Sequence, residues 1–386
     1  MLLDEIIVAA RDGGASADQI AKRFFAARRY AGSKDRRAVR DLTWSVIRRF
    51  AERPDNARAA FITMAQDDPE LAALFDGSGY GPAAIDDAEA RTHGRGQGGV
   101  LPQWILPHFS ALVDGDEQGH LLNRAPLDIR ANALKMARDD AAALFPGAEI
   151  LDASPFAFRL PTGTAIENHV AIADGCAEIQ DLGSQLICDA CAVLPGMTVL
   201  DLCAGAGGKT LALSALMKGR GRLIASDTNR ARLAELSPRA MRAGARHVET
   251  LLLNPGQESG MLAALKDKCD LVLVDAPCSG SGTWRRNPET RWRLTPARLT
   301  AVMAQQARLM QIGSEMAVLG GHMVYAVCSL LTGEGKAQVA NFLAQNPDWR
   351  SVPVGIAAGR AEGDGRLLTP AYDGSDGFFL ARLQKL

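Results

Sequence analysis

The sequence predicts an α/β protein: a Rossmann-like, doubly wound domain preceded by a small α+β segment and an N-terminal all-α region. Three observations predict this fold class. From about Ile179 onward, short apolar runs alternate with helical segments, which is typical of βαβ units and a parallel sheet. Before that point, two strand-like runs flank one helical stretch. From Leu2 to about Ala73, apolar residues recur at helical spacing instead.

Composition and length set the general class of protein. The chain has 386 residues, too many for one ordinary domain, and is 47% hydrophobic and 23% charged, as soluble globular proteins are. Its acidic amino terminus lacks the basic residues of a secretory signal, so we expect a cytoplasmic protein with no membrane partner. Nothing in the sequence requires more than a monomer. We place the domains at residues 1–75, 76–119, 120–175 and 176–386.

The first segment combines helical periodicity with a basic cluster. The stretch AKRFFAARRYAGSKDRRAVRDLTWSVIRRF interleaves basic and aromatic residues, a pattern that favours nucleic-acid binding. A solvated helix face with ion pairs to Asp35 and Asp41 is the alternative. The net charge is only −1, so an anionic partner would depend on such a local patch. The candidate contacts are Arg28, Arg29, Arg36 and Arg37.

The middle of the chain is less regular. Residues 76–101 are rich in glycine and read as a linker or long loop. Beyond them, PLDIRANALK and FAFRLPTG predict short strands on either side of the helical stretch MARDDAAALF. This is the small α+β segment.

A glycine-rich loop, VLDLCAGAGGKT, runs from a predicted strand into a predicted helix, where a backbone can approach a ligand closely. A phosphate-binding P-loop is excluded because Cys203 stands where the first glycine of that motif is needed. A dinucleotide-binding fingerprint is excluded because Thr210 stands where its third glycine is needed. The acid Asp227 ends the next strand, about 20 residues on, where a carboxylate accepts ribose hydroxyls. This arrangement, with Asp201 before the loop, fits S-adenosylmethionine. A structural turn with a capping Asp is the alternative.

Two later strands end in cysteines. CDLVLVDAPCSGSG carries Asp275 and Cys278, and GHMVYAVCSLL carries Cys328. A lone cysteine is often an inert core residue, but two at strand ends beside an acid favour methylation of cytosine carbon 5. In that chemistry a thiolate adds to carbon 6, an acid acts at ring nitrogen 3, and a base removes the carbon 5 proton. The residues alone leave open which cysteine attacks.

These motifs together resemble the Nol/Nop/Sun family of RNA cytosine-5 methyltransferases. The likeness rests on DLCAGAGGKT, DAPCSGSGTWRRNPETRW, YAVCS and DGFFLARL, with PLDIRANALK and QDLGSQ upstream. GSKDRRAVRDLTWSVIRR is similar to the NusB-like RNA-binding domain of the RsmB-type members. The resemblance implies a methyltransferase of ribosomal RNA. Transfer RNA is the alternative substrate. A different kind of function is also open, that of an RNA-binding assembly factor without catalytic activity. DNA methylation is disfavoured.

The resemblance also implies roles for individual residues. Cys328 is the nucleophile, and Cys278 assists release of the methylated RNA. Lys209 orients the aminoacyl end of the cofactor or the reacting base. Arg285 and Arg286 suit RNA phosphates beside the flipped nucleotide. The implied cofactor-binding residues are Cys203, Ala204, Gly205, Ala206, Gly207, Gly208, Lys209, Asp227, Asn254 and Asp275.

Some positions depart from the family pattern or carry other signals. Ala206 stands where proline is usual, Asn254 where an acid is common, and LLTGEG keeps only Glu334 of a more acidic run. None of these touches Asp275 or the two cysteines at strand ends, so we expect an active enzyme. We expect no metal, because the Cys-x-x-Cys pair Cys188 and Cys191 lies in one predicted helix and packs in a core. Stacking on RNA and a structural role are equally open for Trp284 and Trp292.

Overall fold

The computed structural model describes residues 1–12, 14–79, 81–93, 101–166 and 168–386. It divides into two compact units. The first unit comprises Met1–Phe109, Asp114–Asn123 and Thr283–Thr295, and the second comprises Ser110–Val113, Arg124–Gly282 and Pro296–Leu386. The four sequence-based domain ranges stay a prediction. No helix within the described ranges is long and apolar enough to cross a membrane.

The first unit is helical, which confirms the predicted helical N-terminal region. Capping side chains mark where its helices begin: Ser16 accepts from the Gln19 N–H, and Asn56 accepts from the Ala59 N–H at 2.8 Å. Its helices are α1 (Leu2–Asp12), α2 (Ala17–Ala26), α3 (Ser33–Arg49), α4 (Ala57–Ala65), α5 (Pro69–Ala72), α6 (Asp87–His93) and α7 (Gly115–His120), with 3₁₀ turns at Gln103–His108 and Pro288–Arg293.

Helix α6 lies inside the stretch that the sequence predicted as a linker or loop. Asp86 begins this helix by accepting from the Glu89 N–H at 2.8 Å. The Glu89 carboxylate in turn pairs with Arg58 at 2.6 Å. Local capping and one ion pair therefore make a helix where composition indicated none. Residues 94–100 of the predicted linker lie outside the described residues.

The 3₁₀ turn at Pro288–Arg293 packs on the helices of the first unit. Arg291 donates to the carbonyl oxygens of Ile47 at 2.6 Å and Phe50 at 2.8 Å, and Trp292 Nε1 donates to Phe50 O at 2.8 Å. These bonds satisfy carbonyls that the end of α3 leaves open. Trp284 is fully buried, with its ring edge-on to Phe109. Burial of both tryptophans favours the structural alternative over stacking on RNA.

The second unit begins with the small α+β segment. Four strands form an antiparallel sheet in the order β2-β3-β1-β4. The elements are β1 (Leu127–Ala131), α8 (Arg138–Ala143), β2 (Glu149–Ile150), β3 (Ala157–Leu160), α9 (Val170–Ala173) and β4 (Ala177–Ile179).

A nine-stranded sheet fills the rest of the second unit. Its first half runs α10 (Leu182–Ala190), β5 (Thr198–Asp201), α11 (Gly208–Leu216), β6 (Arg222–Asp227), α12 (Arg230–Ala243), β7 (Val248–Leu252), α13 (Glu258–Met261) and β8 (Cys269–Asp275). Its second half runs α14 (Pro296–Met316), β9 (Ala317–Val327), α15 (Lys336–Gln345), β10 (Trp349–Val352), β11 (Arg360–Glu362), β12 (Gly365–Leu368), α16 (Pro370–Asp373) and β13 (Phe378–Lys385).

The strand order explains where a ligand can bind. The strands follow the order β11-β12-β13-β9-β8-β5-β6-β7, and β7, β6, β5, β8 and β9 are parallel to one another. The chain leaves β5 toward β6 on one side, while β8 lies on its other side, which makes a topological switch point. In open α/β sheets, ligands bind at the carboxyl ends of the strands beside such a point.

The sheet is mixed, which corrects the prediction of a parallel sheet. Strand β13 lies antiparallel to β9, and β10 and β12 lie antiparallel to β13. The connection from β12 to β13 is short, residues 369–377, because antiparallel neighbours need no long crossover connection. The predicted α/β architecture is confirmed, and its outer strands differ in direction from the prediction.

Candidate active site

The glycine loop between β5 and α11 needs its glycines for their backbone shape. Gly205 and Gly207 have φ angles of 56° and 84°, in the left-handed region. A Cβ at Gly207 would overlap Leu236 of α12. Ala206, where the family usually has proline, is held instead through its carbonyl, which accepts from Arg239 Nη1 at 2.6 Å. Helix α12 thus fixes the loop from one side.

Asp227, at the end of β6, holds the same loop. Its Oδ2 accepts from the Gly205 N–H at 2.7 Å, and its Oδ1 accepts from the Asn229 N–H at 2.6 Å. The carboxylate predicted to accept ribose hydroxyls therefore lies directly against the glycine loop.

Asp201, at the end of β5, is buried beneath the loop. Its Oδ2 accepts from the Thr210 hydroxyl at 2.6 Å, while its buried Oδ1 has no hydrogen-bond partner among the residues that the structure describes. Burial raises the pKa of Asp201 to about 7. The site thus holds an unsatisfied polar oxygen close to the predicted cofactor loop.

Lys209, in the first turn of α11, forms an ion pair with Asp275 at the end of β8. The Lys209 Nζ donates to Asp275 Oδ2 at 2.7 Å and lies 5.6 Å from the centroid of the Phe378 ring. Burial alone would lower the pKa of the Lys209 amine, but the adjacent Asp275 carboxylate outweighs burial and raises it. Lys209 is therefore an ammonium group at neutral pH.

The two predicted cysteines lie together. The Sγ atoms of Cys278 and Cys328 are 3.2 Å apart, and both residues are half-buried. The register of β8 with β9, which pairs Asp275 with Ala326, places the residues after both strands side by side. The hydrogen bond to Cys328, together with burial, raises the pKa of Cys278 well above its usual range. Cys278 is therefore a neutral thiol at neutral pH.

A polar cluster beside the cysteines is centred on Glu334, the acid kept in LLTGEG, to which the sequence pattern assigned no role. Glu334 is fully buried and accepts hydrogen bonds from residues next to both cysteines. The repeated dipeptide Cys-Ser, at Cys278-Ser279 and Cys328-Ser329, was the available signal. We call Ser279, Gln306, Ser329 and Glu334 the Glu334 cluster.

Three further predicted residues differ in their exposure. The exposed Asn254 follows β7, and its Nδ2 donates to Gln257 Oε1 at 3.4 Å. Arg285 is only 6% exposed and Arg286 is half-buried. Burial counts against a phosphate contact by Arg285, and the role of Arg286 stays a prediction.

The four predicted arginines, two in the turn after α2 and two on α3, differ among themselves. Arg28 stacks 3.6 Å from the Phe24 ring centroid and donates to Phe24 O, while Arg36 donates to Ala31 O at 2.8 Å. These two side chains close the turn after α2. Arg29 and Arg37 are exposed, which is what contact with a phosphate backbone requires.

The cysteine pair on α10 packs in the core of the second unit. Cys188 and Cys191 are buried, and each lies within hydrogen-bond distance of a carbonyl in its own helix. Within the described ranges, no group of three or more His, Cys, Asp or Glu side chains is arranged to hold a metal ion.

Comparison with known proteins gives a family. The profile of the family described as "16S rRNA methyltransferase RsmB/F" matches residues 191–384. A protein of Synechocystis sp., "Probable ribosomal RNA small subunit methyltransferase B", is 32% identical over 302 residues, covering 74% of this chain and 67% of that protein. The chain belongs to the RsmB/F family. This family of S-adenosylmethionine-dependent RNA cytosine-5 methyltransferases is the one that the motifs resembled, so the predicted enzyme class and cofactor are confirmed.

Other relatives extend the comparison. The "Ribosomal RNA small subunit methyltransferase B" of Xanthomonas campestris is 34% identical over 230 residues, 59% of this chain and 52% of that protein. The chain thus matches between about half and about two thirds of the length of these RsmB/F relatives. The crystal structure of PH0851 has a TM-score of 0.78 at 21% identity, covering 100% of this chain and 98% of that one. NSun6 from Pyrococcus horikoshii with SFG has a TM-score of 0.66 at 17% identity, covering 74% and 98%. Both structures share the fold.

Proposed function

We propose that this RsmB/F protein methylates carbon 5 of a cytosine in ribosomal RNA, with Cys328 as the nucleophile and Cys278 as the residue that assists release. The observation that carries the proposal is the placement of the two sulfurs 3.2 Å apart at the sheet edge that also holds Asp275. Cytosine-5 methylation by covalent addition needs these groups: a nucleophile, a base and an acid.

The residues of the glycine loop fit S-adenosylmethionine. Asp227 offers carboxylate oxygens for ribose hydroxyls, and a Cβ at Gly208 would meet no atom closer than Gln180 Nε2 at 4.0 Å. The Asp201 Oδ1, which has no hydrogen-bond partner among the described residues, is able to accept a hydrogen bond from a donor group of a ligand bound beside the loop. When bound, the cofactor supplies an electrophilic methyl group. The residues proposed to hold it are Cys203, Ala204, Gly205, Ala206, Gly207, Gly208, Lys209, Asp227, Asn254 and Asp275.

The assignment of roles to the two cysteines follows the family resemblance. The raised pKa of Cys278 keeps its proton on sulfur, and either sulfur can donate in the hydrogen bond that joins Cys278 and Cys328. Cys328 passes its proton to solvent and adds to cytosine carbon 6 as a thiolate.

Asp275 and Lys209 act together at the base. As Cys328 adds to carbon 6, negative charge develops toward ring nitrogen 3, which needs a proton donor. The Lys209 ammonium donates to Asp275 Oδ2 at 2.7 Å and orients this carboxyl group. The Asp275 carboxyl takes up a proton from solvent and delivers it to ring nitrogen 3.

Release uses the second cysteine. Once Cys328 Sγ is bonded to carbon 6, it no longer shares the Cys278 proton. The hydrogen bond between the two sulfurs, which is the largest cause of the raised Cys278 pKa, is then lost. Cys278 can lose its proton to solvent and accept the carbon 5 proton, and the C–S bond breaks as the ring double bond re-forms.

Ribosomal RNA is favoured as substrate because the relatives from Synechocystis and Xanthomonas are named as methyltransferases of small-subunit ribosomal RNA. The helical N-terminal segment, residues 1–75, is proposed as a NusB-like RNA-binding domain with Arg29 and Arg37 on its exposed face. The protein is proposed to act as a monomer, with residues 176–386 as its catalytic domain.

The test is methyl transfer to total cellular RNA from methyl-labelled S-adenosylmethionine. The RNA is then fractionated, digested and analysed for 5-methylcytidine by mass spectrometry. We expect label in the small-subunit ribosomal RNA, its loss in Cys328→Ala, and its retention in the matched buried variant Cys191→Ala. Label in transfer RNA would replace the proposed substrate. An absence of label from every RNA fraction would instead indicate a silent assembly factor.

A further inference from the structure

We propose that Glu334 is a positioning residue that fixes the Cys278 and Cys328 sulfurs relative to each other. This inference rests on the proposed function, since it assigns a role to the distance between the two sulfurs. The Glu334 carboxylate binds the residue that follows each cysteine. The hydroxyls of Ser279 and Ser329 both donate to its Oε2.

The other carboxylate oxygen holds the first cysteine loop a second time. Oε1 accepts from the Ser279 N–H at 2.8 Å and from Gln306 Nε2 at 2.9 Å. The same Gln306 amide lies 2.9 Å from Pro277 O, the carbonyl directly before Cys278. Cys278 is thus held on both sides, by bonds that converge on Glu334 or on its partner Gln306.

Glu334 itself is rigidly placed. It is fully buried, and its backbone carbonyl accepts from the Tyr325 hydroxyl of β9 at 2.7 Å. A buried carboxylate is costly unless donors satisfy its oxygens, and four donors do so here. That burial separates Glu334 from the substrate, so it acts through the serines and is not a catalytic residue.

Loss of this carboxylate changes the sulfur positions without removing every contact between the two loops. The Gly282 N–H still donates to Cys328 O at 3.1 Å, and the Ser281 hydroxyl still accepts from the Leu330 N–H at 3.0 Å. The loops therefore remain adjacent, while Ser279 and Ser329 lose their shared acceptor. Misplacement of a nucleophile by a fraction of an ångström is enough to slow a reaction strongly.

The test compares Glu334→Gln with Glu362→Gln. Glu362 is also buried in the second unit and bonds a serine, Ser110, at 3.0 Å and Lys336 at 2.8 Å, but contacts neither cysteine. The first readout is the rate at which diamide joins Cys278 and Cys328 in a disulfide, followed by mass spectrometry, with diamide reduced to its hydrazine form. The second is single-turnover methyl transfer to RNA, alongside dissociation constants for RNA and for S-adenosylmethionine.

We expect Glu334→Gln to slow both disulfide formation and methyl transfer by about tenfold or more, with both dissociation constants unchanged. Glu362→Gln should match the unsubstituted protein in both rates. Wild-type rates in Glu334→Gln, or a slower disulfide with undiminished methyl transfer, would overturn the proposal. If the unsubstituted protein transfers no methyl group, the proposed function fails, and the disulfide rates still decide whether Glu334 sets the sulfur positions.

A second variant covers the case in which Glu334→Gln does not fold. The double variant Ser279→Ala, Ser329→Ala removes both hydroxyl donors to Oε2 and leaves the carboxylate in place. We expect it to slow the same two rates, and each single change to do so less. Because both serines act through one carboxylate, the single effects should not be additive. Wild-type rates in the double variant would overturn the proposal.

Discussion

Two regions contain functional residues that were predicted from the sequence. One is the carboxyl edge of the sheet in the second unit, and the other is the basic region of α2, α3 and the turn between them in the first unit. They differ in whether those side chains have partners. At the sheet edge, functional side chains have partners: Lys209 binds Asp275, and Cys278 binds Cys328. On the helical face, Arg29 and Arg37 are exposed. The geometry of the reacting side chains therefore depends on strand register. The attraction of an RNA backbone depends on the number of exposed charges instead.

The largest effect is expected at Asp275. Asp275→Asn removes the carboxyl that delivers a proton to ring nitrogen 3, so we expect single-turnover methyl transfer to fall by about a thousandfold. Asp270→Asn is the matched control, since Asp270 lies at the other end of β8 and accepts from the Thr198 N–H at 2.7 Å. A loss of less than about tenfold in Asp275→Asn would show that the acid lies elsewhere.

Cofactor binding should depend on Asp227. Asp227→Asn removes one carboxylate oxygen from a group that holds Gly205 and is proposed to bind ribose. We expect the dissociation constant for S-adenosylmethionine, measured by calorimetry, to rise about tenfold to a hundredfold. Glu249→Gln on the adjacent strand β7, where Glu249 is exposed and pairs with Arg222, should leave it unchanged. Unchanged affinity in Asp227→Asn would remove the ribose assignment.

The helical face should respond to the number of charges removed. Replacing both Arg29 and Arg37 by glutamine should weaken RNA binding severalfold and lower the slope of its salt dependence by about 2. Arg222→Gln together with Arg350→Gln is the control, because both are exposed arginines of the second unit. An unaltered slope in the first pair would mean that Arg29 and Arg37 belong to a solvated helix face.

The smallest effect concerns stability at Asp201. Its pKa is raised by burial from 3.8 to about 7, so the folded state holds the proton more tightly than the unfolded state. The stability contribution of Asp201 therefore falls as pH rises from about 4 to about 7. Asp201→Asn, which keeps an acceptor for Thr210, should raise Tm by a few degrees more at about pH 8 than at about pH 5. Equal changes in Tm at both pH values would contradict this.

Much of the site could be predicted because short motifs place residues at strand ends. The alternation of strands and helices predicted that Asp227, Asp275 and Cys328 follow strands of one sheet, and the structure brings them to one edge. Parallel strands in adjacent positions leave little freedom in where those residues lie.

The rest depended on contacts that the sequence does not encode locally. Ser279 and Glu334 are 55 residues apart, and the packing of α14 against the sheet brings Gln306 to Glu334 and to Pro277 O. The direction of β13 could not be predicted either, since nothing in DGFFLARL says which neighbouring strand it pairs with. Burial of Arg285 likewise depends on tertiary structure, because arginine is ordinarily a surface residue.

The most direct test of the account is a covalent adduct. Cys278→Ala protein is incubated with S-adenosylmethionine and total cellular RNA and analysed on a denaturing gel, and any bound RNA is sequenced. The account predicts an adduct that accumulates because release is blocked, that disappears in the Cys278→Ala, Cys328→Ala double variant, and that carries ribosomal RNA. An adduct formed by Cys328→Ala, with none in Cys278→Ala, would contradict the account and exchange the roles of the two cysteines.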